Sequence, residues 1–273
     1  MSNKKKLELI SQELLDGKPD KAIDKLEEYF FDYPDAKNIV TDYRTNLQEW
    51  LRTEKSDDNY NVARTKIKIR LQSFIDSYRN ALHTLVYIFS NPKNKAQLNF
   101  QDELEAIQDS LSTKGPFKID PQPEIVPAIT QDEFFHVIQD KKPGLLLLSM
   151  HGDRDKGFSF LDSSGNESIM TPEKFISDLK AAVNFSEIPL ECVVLNCCNS
   201  ALHARELATV VPFTVGMDGL IYNRAAVLFA RGFYKNLILT GNYDKSFEAG
   251  IYEIRQNEEL KDMAAVPQRF HKL

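Results

Sequence analysis

The chain has 273 residues, 42% hydrophobic and 27% charged, which is material for one large domain or two smaller ones, and two are expected. A net charge of −6 with a pI near 5.5 argues against nucleic acid as a partner, since phosphate binding needs a concentrated basic stripe. The basic opening MSNKKK is not followed by the apolar stretch of a secretory signal, and no apolar run of about 18 residues occurs, so the expectation is a soluble, cytoplasmic protein with no membrane partner.

The first 80 or so residues read as helices. Leu7, Ile10, Leu14 and Leu15 recur at helical spacing until Asp16, Gly17 and Pro19 close the element. Ala22, Ile23, Leu26, Tyr29 and Phe30 begin a second helix; Ile39, Tyr43, Leu47, Trp50 and Leu51 mark a third; Val62, Ile67, Leu71, Phe74 and Ile75 mark a fourth. Short connections between amphipathic helices imply an antiparallel bundle. It holds no cluster of His, Cys or carboxylates, so its expected role is packing or interaction. Lys66, Lys68 and Arg70 are read first as a solvated helix face.

After Asn80 the texture changes. Ala81 to Pro92 has a buried-strand pattern ending in an Asn-Pro turn signal, and Leu98, Leu104, Ile107 and Leu111 are spaced as a helix facing a sheet. KIDPQPEIV is a second extended piece, and Phe134 to Ile138 sit on a short helix. Two apolar runs follow, each ending abruptly in a reactive side chain: LLLLSMHGD reaches His151 and VVLNCCNS reaches Cys198. Between them a helix from Pro172 to Val183 is expected, with Thr171 as its cap. Beyond Cys198 come a helix with Leu202 and Leu207, a strand VVPFTVGM, and a long helix from Ile221 to Leu239. Alternation at this rhythm argues for a mostly parallel sheet with helices on both faces.

Apolar runs of this kind are strands buried on both faces, which puts His151 and Cys198 at the C-terminal ends of two parallel strands, where open α/β sheets carry their chemistry. A cysteine becomes a thiolate at neutral pH with help from a base, and imidazole suits that task. The plainer alternative is that Cys192, Cys197 and Cys198 simply pack in or beside the core. Three cysteines, two adjacent, build no disulfide framework, which fits a reducing compartment. The His-Gly step and a spacing of roughly 50 residues from His to Cys match caspases, although the caspase Q-A-C-x-G signature is replaced here by N-C-C-N-S. His203 is an alternative base on the following helix, while His83, His136 and His271 read as structural or surface residues.

The patterns isqeLldGkpdkAidkLeeyf, ivtdYrtnL and DnynvaRtkIkirLqsfId, over roughly residues 4 to 79, resemble the bacterial effector-associated domains. That resemblance implies a domain pairing with a like domain on a sensor or adaptor protein. From about Ala81 to Arg255 the chain resembles CHAT domains, the caspase-like cysteine peptidases related to metacaspases and separase. SMHGD, VVLNCCNS and TVGMDGLIYNRAAVLFARGFYKNLILTGNYDKSFEAG carry the likeness. The fold so implied is an N-terminal all-α helical bundle, residues 1–79, followed by an α/β caspase-like domain, residues 80–273. The resemblance implies His151 and Cys198 as the catalytic dyad. Met150 stands where a glycine often precedes the His-Gly step, and Asn196 stands where relatives that cut after arginine or lysine carry an acidic residue.

On that reading His151 takes the thiol proton, Cys198 attacks a peptide carbonyl, and the backbone N–H groups of Gly152 and Cys198 hold the oxyanion. Asp218, Asn196 and Asp153 are the expected lining of the pocket for the substrate residue on the acyl side, where carboxylates would repel an aspartate. The chemistry needs no metal and no cofactor. The expected partners are a protein substrate and a sensor or adaptor, and the alternative function is a catalytically silent scaffold.

Overall fold

In a computed structural model, residues 3–30, 34–53, 62, 65–75, 82–186 and 188–272 are described. They divide into two units, Met1–Leu82 and His83–Leu273. The boundary expected at residues 79–80 lies outside the described residues, as does Ala81, the expected first residue of the strand region.

The first unit holds α1 (Asn3–Leu15), α2 (Pro19–Phe30), α3 (Pro34–Thr53) and α4 (65–75). Leu7, Ile10, Ile23, Leu26, Tyr43 and Leu71 are among the side chains that merge into one apolar cluster, in which Phe30 meets Phe74 edge to face at 5.9 Å. Gly17, at φ +72°, takes the left-handed turn between α1 and α2 that a side chain would resist. Two apolar positions depart from the pattern: Leu15, the last residue of α1, and Val62 are both exposed. The side chains of Trp50 and Leu51 lie outside the described residues.

The second unit is built on a six-stranded sheet. Its strands are β2 (Leu85–Phe89), β4 (Glu124–Pro127), β5 (Leu145–Ser149), β9 (Cys192–Leu195), β10 (Phe213–Met217) and β11 (Pro267–His271), in the order β11-β10-β9-β5-β2-β4. All pairs are parallel except β10 with β11. Two short strands, β1 (Leu82–His83) and β3 (Lys118–Ile119), pair separately. The expected single extended piece KIDPQPEIV is thus two strands, broken where Pro121 and Pro123 lack the N–H a ladder requires.

The apolar runs divide by parity. Leu145, Leu147, Cys192 and Val194 enter a core with α5 (Phe100–Leu111), α9 (Asn223–Thr240) and α10 (Tyr243–Arg255). Leu146, Leu148, Val193 and Leu195 enter the opposite core, with α6 (Gln131–Lys141), α7 (Pro172–Phe185) and α8 (Ala201–Leu207). Each leucine fully buried this way contributes about 1.5–3 kcal/mol relative to exposure, so these strands cannot slip register cheaply. Thr171 caps α7, its hydroxyl accepting the Lys174 N–H at 3.3 Å ahead of Pro172.

The 151–170 region, to which the sequence pattern assigns no strand, forms an antiparallel three-stranded sheet of β6 (Gly152–Asp153), β7 (Gly157–Leu161) and β8 (Glu167–Met170). Phe158, Phe160 and Met170 anchor it in the second core.

Candidate active site

The sheet register sets the site. Leu148 of β5 pairs with Leu195 of β9, and His151 and Cys198 are each the third residue beyond that pair. Neighbouring strands run about 4.8 Å apart, so both side chains leave the sheet at the same height and line one cleft. Parity separates the two adjacent cysteines. Cys197 turns into the second core, its sulfur 3.4 Å from the Leu148 carbonyl, and burial pushes its thiol far up. Cys198 is half-buried, and its sulfur accepts the Ile221 N–H at 3.5 Å.

The His151 ring is held from behind. Its Nε2 lies 2.7 Å from the carbonyl oxygen of Ala96, an acceptor only, so Nε2 carries the proton and Nδ1 is left as the basic nitrogen. Gly152 closes the gap between the two strand ends. A Cβ there would stand 2.4 Å from the Cys198 carbonyl oxygen, so no side chain fits without moving the nucleophile's own turn. That turn is fixed by buried Ser200, whose hydroxyl lies 2.7 Å from the Cys197 carbonyl oxygen and accepts the Met217 N–H at 3.0 Å.

Beneath the cleft lies a carboxylate that the sequence reading does not single out. Glu103 is only 4% exposed and accepts from Tyr87 Oη at 2.6 Å, from Ser149 Oγ at 2.6 Å and from the Asn196 amide. Ser149 and Asn196 are each one residue past the Leu148–Leu195 pair, on the same face as His151 and Cys198. Burial drives the Glu103 carboxyl up from the ordinary glutamate value, partly offset by the hydroxyls of Ser149 and Tyr87 and the Asn196 amide. Asn196 Nδ2 also reaches the Ala226 carbonyl at 3.3 Å, and its buried Oδ1 has no hydrogen-bond partner. The signal for Glu103 was its spacing: it lies on the stripe of Phe100, Ile107 and Leu111, an acidic residue on an apolar helix face.

The structure brings His151, Cys198 and Asn196 together in the cleft and leaves Asp153 and Asp218 outside its lining. The Asp153 carboxylate folds back on its own turn, accepting the N–H groups of Asp155 and Lys156 at 3.0 Å each, which hold its carboxyl below the usual aspartate value. Asp218 is exposed and pairs with Arg154 at 3.3 Å. His203 is buried beside Phe158 and lines a different groove, between α7 and α8. Among the described residues, no group of three His, Cys, Asp or Glu side chains is placed to hold a metal ion, and no helix is long and apolar enough to cross a membrane.

Fold and site together define an α/β domain with a histidine and a cysteine at the C-terminal ends of adjacent central strands. No protein-family model matches the chain. It is 26% identical over 165 residues to a Roc-COR-CHAT protease from an unknown prokaryotic organism, a match covering 60% of this chain and 15% of that protein. It is also 26% identical over 171 residues to a probable protease of Gillisia limnaea, covering 62% of this chain and 29% of the relative. The matched region therefore spans less than a third of either relative. Among solved structures, a secreted C11 cysteine protease from Bacteroides thetaiotaomicron, in complex with an irreversible peptide inhibitor, superposes with a TM-score of 0.45 at 10% identity, over 64% of this chain and 59% of its own. Caspase-1 from Spodoptera frugiperda gives 0.45 at 11% identity, over 71% and 89%.

Proposed function

We propose that the chain is a caspase-like cysteine endopeptidase of the CHAT type working through a His151–Cys198 dyad. Residues 1–79 would act as an effector-associated domain that recruits it to a sensor or adaptor in a prokaryotic defence or cell-death pathway. The observation that carries the reading is the shared register of His151 and Cys198, with His151 Nε2 committed to the Ala96 carbonyl and Nδ1 left to act as base. Two curated relatives named as proteases support it.

In the mechanism, Nδ1 takes the Cys198 thiol proton and the thiolate forms a C–S bond to the substrate carbonyl carbon. The oxygen takes the charge, stabilised by the N–H groups of Gly152 and Cys198. Collapse expels the amine, which carries away the proton held on His151. Water, deprotonated by the same nitrogen, then releases the acid and restores the thiol.

The pocket for the acyl-side residue is floored by Glu103 and Asn196 rather than by Asp153 or Asp218. Its unpaired Asn196 Oδ1 and buried Glu103 carboxylate are both acceptors, so a side chain with N–H donors suits it, a basic one best, and an aspartate is repelled.

The test is labelling with a thiol-reactive peptide probe, read by mass spectrometry, together with cleavage of a peptide library. Cys198→Ala should abolish both, and Cys197→Ala should retain both because its sulfur lies in the core. Labelling at Cys197, or no labelling of the wild-type protein at Cys198, would overturn the dyad. The second outcome is the one the alternative, a catalytically silent adaptor, requires.

A further inference from the structure

The Ala96 carbonyl that fixes the His151 ring belongs to an irregular segment, residues 90–99, which has no regular secondary structure of its own to hold it. Its placement depends on side-chain bonds. Asn91 spans it, donating to the Leu98 carbonyl and accepting the Leu98 N–H, both at 3.2 Å. The Ser90 N–H ties its start to the Ser149 carbonyl of β5 at 3.2 Å, Gln97 Nε2 donates to the Pro92 and Lys95 carbonyls at 3.2 Å each, and the β7–β8 hairpin holds its middle. The Lys93 N–H donates to the Gly165 carbonyl at 3.0 Å, and Lys93 Nζ reaches the Ser164 carbonyl at 3.3 Å.

One residue of that hairpin grips the segment twice. The Glu167 N–H donates to Asn94 Oδ1 at 2.9 Å, and the Glu167 carboxylate pairs with Lys95 Nζ at 3.0 Å. Asn94 and Lys95 are the two residues immediately before Ala96. The same carboxylate accepts from Ser159 Oγ at 2.5 Å, and the Ser159 N–H donates to the His151 carbonyl at 3.0 Å. Glu167 is thus bonded to the chain on both sides of the imidazole: through Lys95 and Asn94 to the carbonyl that orients the ring, and through Ser159 to the backbone of His151 itself.

We propose that Glu167 is a positioning residue for His151, clasping residues 94–96 onto the hairpin so that the Ala96 carbonyl holds Nε2 and leaves Nδ1 as the basic nitrogen in the cleft that Cys198 lines. The inference rests on the peptidase reading above and adds a residue to it. The charged and titratable groups around the imidazole are Asp153 on β6 just after it, Lys95 on the clasped segment, Glu167 on β8, Glu103 beneath the cleft and Cys198 across the same cleft. Lys95 and Glu167 neutralise each other at the clasp, so its main effect is orientation. Burial opposes ionisation of Glu167, but the Ser159 hydroxyl, Lys95 and His151 together hold its carboxyl below the ordinary glutamate value. The Lys95–Glu167 arm of the clasp is therefore intact above that range and weakens as pH falls through the depressed value, while the Asn94 arm, made to a backbone N–H, does not titrate.

The experiment is the rate of Cys198 alkylation by iodoacetamide as a function of pH, read site by site by mass spectrometry on the full chain. A thiol ionised by a well-placed imidazole reacts at neutral pH, and one that ionises unaided reacts only at alkaline pH. Glu167→Ala should slow alkylation near neutrality roughly ten-fold and converge on the wild-type rate at alkaline pH, as a misplaced base predicts. Glu167→Asp, which keeps the carboxylate, should recover part of the neutral-pH rate. A Glu167→Ala profile superimposable on wild type would overturn the proposal. Should Glu167→Ala fail to fold, Asn94→Ala loosens the clasp from the other side: the same neutral-pH loss supports the proposal, and a wild-type profile overturns it. His151→Ala separates the two levels. If that variant leaves the wild-type alkylation profile unchanged, the dyad itself is wrong; if it slows Cys198 while Glu167→Ala and Asn94→Ala do not, only the clasp is wrong.

Discussion

Glu103 shows how much one buried side chain can set. Burial raises its pKa, so the folded protein holds the Glu103 proton to higher pH than the unfolded chain does. The sign follows: its contribution to stability is full below the unfolded value of about 4.3 and is lost as pH rises through the raised folded value. Glu103→Gln keeps an acceptor for Tyr87 and Ser149 and carries no charge to bury, at the loss of the bond from Asn196 Nδ2. The variant should therefore gain on wild type as pH rises from about 5 to about 8, measured as the difference between their melting temperatures. A difference that is flat or shrinks over that range would mean that Glu103 stays neutral or is compensated in another way. The same substitution removes the acceptor charge from the pocket floor, so cleavage after basic residues should weaken more than cleavage after neutral ones in a peptide-library digest.

At the scale of elements, the cysteine turn depends on how closely α8 approaches β10. Gly216 is the penultimate residue of β10, and a Cβ there would stand 2.7 Å from the Ser200 carbonyl oxygen and 2.8 Å from both Ala201 Cα and Ala204 Cβ. Two of these contacts are backbone atoms of the segment that carries Cys198 into α8, so the strain cannot be relieved by turning a side chain. Gly216→Ala should cost about 1–3 kcal/mol of stability, the usual range for overpacking. Its melting temperature should fall by roughly 2–12 °C for a domain of this size. Labelling of Cys198 should fall with it, because Ser200 holds both the turn and the Met217 N–H. Unchanged thermal stability would show that α8 can lift away freely.

At the scale of the whole molecule, the described residues of the first unit have an apolar cluster of their own, within residues 7–75, and those of the second unit have two clusters, one on each face of the sheet. A unit with its own apolar core is expected to fold by itself. Residues 83–273 expressed alone should give a cooperative thermal transition and label at Cys198, while losing the recruitment assigned to the first unit. Calorimetry and probe labelling of the truncated chain check this, and a truncated chain that is insoluble or inert to the probe would show that the first unit is needed to build the site.

The strands that precede His151 and Cys198 and the helical texture of the first 80 residues were legible in the sequence, because apolar runs and helical spacing are local properties of the chain. The cap at Thr171 was legible for the same reason. The pocket was not. Asp153 and Asp218 stand near the motifs in sequence, but one caps its own turn and the other pairs with Arg154, while the carboxylate under the cleft comes from Glu103, distant in sequence and hidden in an ordinary amphipathic helix. The hairpin of residues 152–170 escaped because its strands are too short to show alternation, and the clasp on Ala96 because it joins residues more than 70 positions apart. The sequence by itself determined the strand ends at which His151 and Cys198 sit; only the tertiary structure decided which groups surround them, because hydrogen bonds between distant segments form where packing brings them together and leave no periodic trace in the chain.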